Sequence, residues 1–412
     1  MLYIRKNSDN MIAGRFLLKS VFLFAVIAAT TGVYAQEQFI EPQAKKITSF
    51  HFQLLTGGVI IIKAQLNNYP DSMNFVLDTG SGGISIDSMT VVKYKIPVVP
   101  SNKKIKGIGG VRIVSFLNDA TLKLPGLQVD GLNFHVNDYE VLSSVYGIKI
   151  DGIIGFSFFI RYIVNINYDN DLITIYSGGE YKYPKGGYML NPIFTSIPIS
   201  QIPFKEHKKY LQRFYLDTGA GLNFLLSENY ANDSSILLYK RKKPFITQAE
   251  GLGGKMTMRY TTVKWLKIGP YTFRKVPTHI FDDQVNVTNY PIVGGLIGND
   301  LLRRFNTTFN YVKQEVHIIP NSQFRDFFDY AYTGLAIYYV DGQILIDGVA
   351  PNSPAEKAGF KTNDYIIAID NDFSRNIQSY RAKLQTTGEK LSILISRDGE
   401  ILKINLKPVS IL

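Results

Sequence analysis

The chain has 412 residues, 45% apolar and 13% aromatic, and no cysteine. That is enough for two or three domains with cores of their own, and it excludes a disulfide frame, a thiol nucleophile and a lipid-carrying cysteine. Lys and Arg exceed Asp and Glu by 11. The basic runs are short and far apart (103–106, 208–209 and 240–243), which is the pattern of solvated loops and not of a nucleic-acid surface.

The first 35 residues read as a signal peptide. Arg15 and Lys19 precede the apolar run 20–29, and Val33-Tyr34-Ala35 offers small residues before a cut after Ala35. Met11 could serve as the start, and an uncleaved anchor is the alternative. A cysteine-free exported chain fits a bacterial periplasmic or secreted protein, with no integral membrane segment once the signal is removed, because no later run is long enough to span a bilayer. Residues 36–46 are polar and are expected to be a flexible lead.

From Ile47 the pattern is that of strands. Phe50 to Leu54 alternates, Gly57-Gly58 turns, and residues 59–66 form a β-branched run. A strand ending at Leu77 delivers Asp78-Thr79-Gly80-Ser81. Gly107-Ile108-Gly109-Gly110 follows as a hairpin tip between two strands. Asp151-Gly152-Ile153-Ile154-Gly155 then leads into a short helix expected over 156–162, and a hairpin spans 163–176. The Gly-, Lys- and Tyr-rich stretch 177–187 reads as a linker.

The second half repeats these landmarks in the same order. Asp217-Thr218-Gly219-Ala220 lies 139 residues after Asp78, and Gly251-Leu252-Gly253-Gly254 lies 144 after the first glycine tip. Gly295-Leu296-Ile297-Gly298 lies 143 after Gly152, a short helix is expected over 299–305, and Phe309-Asn310-Tyr311 lies 143 after Ile166-Asn167-Tyr168. Four landmarks at nearly constant offset describe a duplicated unit, in 47–176 and 188–322. From 323 to 412 the pattern changes. Ser353-Pro354 with Glu356 predicts a one-turn helix with a capping box, ended by Gly359. A strand follows over 365–369, a weak helix over 377–385, and a hairpin through Asp398-Gly399.

Two carboxylates in matching contexts suggest one site. Close together, Asp78 and Asp217 cannot both ionise cheaply and would share a proton, one serving as base toward water and the other as acid toward a carbonyl. Thr79 and Thr218 can hydrogen-bond across the pair, and Gly80 and Gly219 allow close backbone approach. The five histidines are isolated and lack metal-ligand spacing, so no metal and no cofactor is expected. Ser81 as a serine-protease nucleophile would need His and Asp well before it, and only His51 precedes it.

The Asp-Thr-Gly-Ser/Ala motif, the glycine-rich hairpin and the apolar-apolar-Gly step into a short helix resemble the retropepsin-like aspartic proteases. Each repeat is similar to one retroviral protease subunit, so the chain resembles a fused dimer, as in the bilobal pepsins. The resemblance covers 47–320. It implies a mainly β fold of two barrel lobes, with Asp78 and Asp217 catalytic, Thr79, Gly80, Thr218 and Gly219 supporting them, and Gly107, Ile108, Gly109, Gly110, Gly251, Leu252, Gly253 and Gly254 as flap tips over protein or peptide substrates. The stretch between flap and apolar-Gly motif is longer than in the retroviral enzymes, and Ser81 stands where the second repeat keeps Ala220.

The last segment resembles a bacterial PDZ domain, a small barrel with two helices, through Ser353 to Phe360 and Asn363-Asp364-Tyr365-Ile366. That resemblance implies Gly334, Leu335, Ala336 and Ile337 as a loop and strand that take peptide C-termini. The expected function is an aspartic endopeptidase whose PDZ domain recruits substrates. The alternative is a non-catalytic peptide-binding adaptor of the cell envelope that keeps the protease fold.

Overall fold

The computed structural model describes residues 41–108, 110–240, 242–251 and 254–412. The expected signal peptide, residues 36–40 of the lead, and the flap positions Gly109, Leu252 and Gly253 lie outside the described residues. No helix among the described residues is long and apolar enough to cross a membrane.

The β-branched run after Gly58 becomes the strand Ile60–Leu66. Its Ile60, Ile62, Ala64 and Leu66 enter the core, while Lys63 and Gln65 face solvent. It starts a closed barrel of six strands, in the order Ile60–Leu66, Met73–Leu77, Gly152–Ile154, Ile84–Asp87, Leu127–Asn137 and Phe116–Leu124. Gln65 and Leu66 opposite Lys123 and Leu122 close it. Closure leaves no free edge among these strands.

The second repeat builds the same barrel from Pro198–Lys205, Lys209–Asp217, Gly295–Gly298, Phe224–Ser227, Tyr271–Phe281 and Gly254–Ile268. Phe204 and Lys205 opposite Leu266 and Trp265 close this one.

A six-stranded sheet joins the barrels. Its central strands, Ile163–Asn167 and Phe305–Asn310, run antiparallel with Asn165 opposite Thr308. Those two residues are 143 apart, the offset of the repeat, so the pseudo-twofold axis passes between them. Asn165 Nδ2 donates to Thr308 Oγ1 across it at 2.8 Å. The strand Lys46–His51 forms one edge of this sheet.

The lead is fastened earlier than its composition suggests. Gln43 bridges to Glu180, and Ala44 N–H donates to the Glu180 carbonyl at 2.9 Å. Both short helices are shorter than expected. They span Phe156–Phe159 and Asn299–Leu302, and Phe305 already opens the next strand.

The C-terminal sheet runs Leu335–Val340, Gln343–Val349, Tyr365–Ile369, Leu391–Arg397 and Glu400–Leu406. With the helices Pro354–Ala358 and Ile377–Leu384 it closes on its own core of Ile344, Ile346, Tyr380, Ile393 and Ile395. Ser353 Oγ accepts from the Glu356 N–H at 3.1 Å, and Gly359 ends the helix at φ 95°. The reciprocal half of the expected capping box differs: the Glu356 carboxylate accepts from Asn352 N–H at 2.6 Å, one residue upstream of the cap. The chain is not handed over sharply between units. Phe324 packs edge-on against Phe273 and Phe305 of the second barrel.

Candidate active site

Each aspartate sits where an apolar strand ends beside an apolar-Gly strand running parallel to it. Leu77 pairs with Ile154, and Asp78 N–H donates to the Ile154 carbonyl at 2.9 Å. In the second barrel Asp217 itself pairs with Gly298. The glycine is required at both places. A Cβ on Gly155 would lie 2.5 Å from the Ser81 carbonyl oxygen, and one on Gly298 would lie 2.1 Å from that of Leu222. The apolar-Gly motif thus presses directly on the loop that carries the carboxylate.

The pseudo-twofold brings the two loops together, and the carboxyl groups of Asp78 and Asp217 hydrogen-bond each other. Gly80 N–H donates to Asp78 Oδ1 at 2.6 Å. Gly219 and Ala220 N–H donate to Asp217 Oδ1 at 2.9 and 3.0 Å. Gly80 and Gly219 are crossed over: a Cβ on either would sit 2.3 Å from the carboxyl carbon of the opposite aspartate.

Thr79 and Thr218 lock the loops beneath. Each hydroxyl accepts the other threonine's N–H at 3.0 Å and donates to a carbonyl across the interface, Leu216 at 2.8 Å and Leu77 at 3.0 Å. Both threonines are fully buried, so all four groups depend on these bonds.

Burial pushes both carboxyls above the usual carboxylate range. For Asp217 the charge of Asp78 adds to burial, and its pKa is raised well above that range. The arrangement therefore holds one proton shared between the two carboxyls. A cavity of about 1190 Å³ opens above the pair.

Two hairpins border it, and they are not alike. Lys104–Gly107 and Gly110–Ile113 form a separate two-stranded ribbon, with Gly107 opposite Gly110. Ile108 at its tip crosses the cleft and packs with Leu225, Met258, Phe281 and Leu296 of the second barrel. The second hairpin, Phe245–Gly251 with Gly254–Ile268, brings Gly251 opposite Gly254 and is continuous with its barrel. It is also tied to the C-terminal domain. Tyr332 Oη donates to the Ile246 carbonyl at 2.5 Å, and Lys255 Nζ pairs with Asp347 at 2.6 Å.

Gly334, at φ 81°, Leu335 and Ile337 line the same cavity, whereas Ala336 faces away with Tyr338 toward the first barrel. The helix Glu140–Tyr146, in the longer stretch after the first flap, packs there through Val145 and Tyr146. Nothing in the repeat foretells it.

Four residues with roles at the cleft were passed over in the sequence. His135 and His279 line it in the two barrels, and burial pushes both down to about 4, leaving neutral imidazoles. Their offset of 144 matches that of the glycine tips and would have revealed the pair. Asn299 donates through Nδ2 to the Gly58 carbonyl and accepts from Tyr168 Oη at 2.9 Å. Gly57 abuts the loop after Asp217, since a Cβ there would lie 2.4 Å from the Gly221 carbonyl oxygen. Phe156 stands at the position equivalent to Asn299, so repeat symmetry gave no signal for it.

Two barrels contributing one carboxyl each to a covered cleft define an aspartyl protease-type fold. Residues 62–158 and 206–301 each match the family model described as aspartyl protease, and residues 345–397 match that of the PDZ domain. The chain is a tandem retropepsin-like protein of the aspartyl protease type with a C-terminal PDZ domain. It is also 30% identical over 114 residues to the Saccharomyces cerevisiae protein described as probable 26S proteasome regulatory subunit p27, a match covering 27% of this chain. The chain spans 50% of the length of that relative.

Proposed function

We propose that the protein is an exported aspartic endopeptidase that hydrolyses peptide bonds with a water activated by Asp78 and Asp217, and that its PDZ domain recruits protein or peptide substrates. The observation that carries this reading is the pair of carboxyls from two barrels, hydrogen-bonded to each other in the wall of a covered cleft. The export part of the proposal rests on the N-terminal segment alone.

Asp78, ionised, takes a proton from water as the oxygen attacks the amide carbon. Asp217 gives its proton to the carbonyl oxygen, leaving a neutral gem-diol. Asp78 then passes its proton to the amide nitrogen as the C–N bond breaks, and Asp217 recovers a proton from the diol as the carboxyl product forms. The cycle restores the single shared proton and needs no covalent intermediate. Neutral His135 and His279 add no charge to the cleft.

The test is cleavage of a synthetic peptide library by the full chain across acidic to neutral pH. Asp78→Asn and Asp217→Asn are each expected to lower hydrolysis by about 1000-fold or more while near-UV circular dichroism stays native. Activity should fall on both sides of a maximum, as the pair gains a second proton or loses the shared one. Full activity in either variant would overturn the assignment.

A further inference from the structure

The walls of the cleft differ between the two barrels. In the first, Ser85 pairs with both Ile153 and His135; in the second, Leu225 pairs with both Leu296 and His279. The residues two places before them are therefore equivalent, Gly83 in the first barrel and Asn223 in the second. A Cβ on Gly83 would lie 3.8 Å from His135 Nδ1, so the twofold sets the Asn223 side chain beside His279. Both residues line the cleft. Asn223 is only 5% exposed, and its Oδ1 has no hydrogen-bond partner; nor has the buried His279 Nδ1. Buried polar groups are ordinarily paired, and two orphans in a cavity wall mark a place for a ligand's polar groups.

A carboxylate faces the same corner. His279 stacks on Tyr260 with ring centroids 4.5 Å apart, and Tyr260 Oη donates to the Asp329 carbonyl at 3.2 Å. Asp329 also lines the cleft. Its Oδ1 accepts from Ala331 N–H at 2.8 Å, its other oxygen is free, and among the described residues no cation pairs with it. The two arginines that precede it are engaged elsewhere. Arg303 holds Asp300 at 2.8 Å, and Arg304 donates to the carbonyls of Gln323 and Asp326 at 3.2 and 2.6 Å. Burial pushes Asp329 up to about 7, and the charge of Asp300 adds to that rise. In the first barrel Phe116 and Ser157 stand where the second has Tyr260 and Asp300, and the carboxylate on that side, Asp138, faces Arg112 at 3.9 Å.

The corner lies close to the reacting groups. Asp217 pairs with Gly298, whose N–H donates to the Asn223 carbonyl at 3.1 Å. Asn223 is thus two strand spacings, about 10 Å, from Asp217.

We propose that this corner is a subsite for a basic side chain of the peptide substrate. The ammonium or guanidinium sits on the free Asp329 oxygen and gives a further N–H to Asn223 Oδ1. This rests on the endopeptidase reading above and adds the class of substrate. A lysine or arginine supplies what both groups lack, a positive charge and several donors. An aliphatic side chain would leave both unpaired, and an acidic one would add a second negative charge. The neutral imidazole of His279 does not repel the cation. A separation of about 10 Å is about three residues of extended chain, less the reach of a long side chain, so the cut falls within about two residues of the basic one.

The test uses the full chain and short peptides in which one arginine is moved along a neutral frame. Each is made again with lysine and with citrulline, the neutral isostere of arginine. Cut positions and kcat/KM are read by mass spectrometry from acidic to neutral pH. At neutral pH the arginine and lysine peptides should be cut at least about tenfold faster than the citrulline ones, with the cut moving in step with the basic residue. Asp329→Asn should bring the arginine rate down to the citrulline rate, and Asn223→Gly, which installs the first barrel's residue, should weaken the preference independently. Equal rates for arginine and citrulline, cuts that ignore the position of the basic residue, or a preference that survives both substitutions would overturn the proposal. Should nothing be cut at any pH, the endopeptidase reading fails. Where cleavage is absent at neutral pH, binding of the same peptides there decides the subsite by itself. Tighter binding of arginine than of citrulline peptides, lost in Asp329→Asn, supports it, and equal binding refutes it.

Discussion

Replacing Thr218 by Val tests the claim that four buried hydrogen bonds hold the two barrels in register at the site. Valine keeps the shape and removes the hydroxyl. Two groups then lose their partner: the Thr79 N–H, 3.0 Å from the lost oxygen, and the Leu77 carbonyl, also at 3.0 Å. Neither can turn to solvent, since Thr79 and Thr218 are 0% and 1% exposed. At about 1–3 kcal/mol for each orphaned group the substitution should cost about 2–6 kcal/mol. Thr218→Ser keeps both bonds and loses one methyl, so its cost should stay near about 1 kcal/mol. Trp265, the sole tryptophan, lies where the second barrel closes, opposite Lys205, and its fluorescence during urea unfolding reports that barrel directly. Hydrolysis should fall further than stability does, because the peptide units released, Leu77–Asp78 and Asp78–Thr79, are the two that flank the Asp78 side chain. A Val variant within about 0.5 kcal/mol of wild type, or a Ser variant as damaged as the Val one, would refute the reasoning.

Gly80→Ala should leave the fold intact and cut hydrolysis by about 100-fold or more, because its Cβ falls 2.3 Å from the Asp217 carboxyl carbon; circular dichroism beside a peptide assay separates the two effects. Gly147→Ala combines φ 68° with a Cβ 2.5 Å from Ile377 Cγ2, so it should loosen the PDZ domain from the first barrel. Faster proteolytic release of a PDZ-sized fragment is the readout, and an unchanged rate counts against that packing. Asp217→Asn should change how stability depends on pH. The folded pKa of Asp217 is raised, so the native state keeps a proton that the unfolded chain releases, and wild-type stability falls as pH rises from the ordinary carboxylate range through the raised value. The Asn variant lacks this loss, and urea titrations from pH 4 to 8 should show it gaining on wild type toward neutrality.

The two hairpins have come to differ although the repeat that encodes them is nearly regular. The first crosses to the opposite barrel through Ile108, and the second is pinned to the PDZ domain through Ile246 and Lys255.

The sequence by itself determined the barrels, the duplication and the pair of aspartates. Each is written in short range, as alternation along strands, as glycines where a Cβ would strike a carbonyl, and as offsets of 139 to 144 between like motifs. An offset near-constant along the chain is evidence for a twofold, and Asp78 and Asp217 meet because their loops lie beside its axis. The threonine cross-links were legible for the same reason. Only the tertiary structure decided what breaks that symmetry. The Gln378 bonds to Thr56 join residues 322 apart, and no local pattern marks either partner. The helix Glu140–Tyr146 has no counterpart to be matched against. The continuity of the PDZ groove with the cleft depends on how three folded units pack, a property of surfaces that each unit's own pattern leaves unspecified.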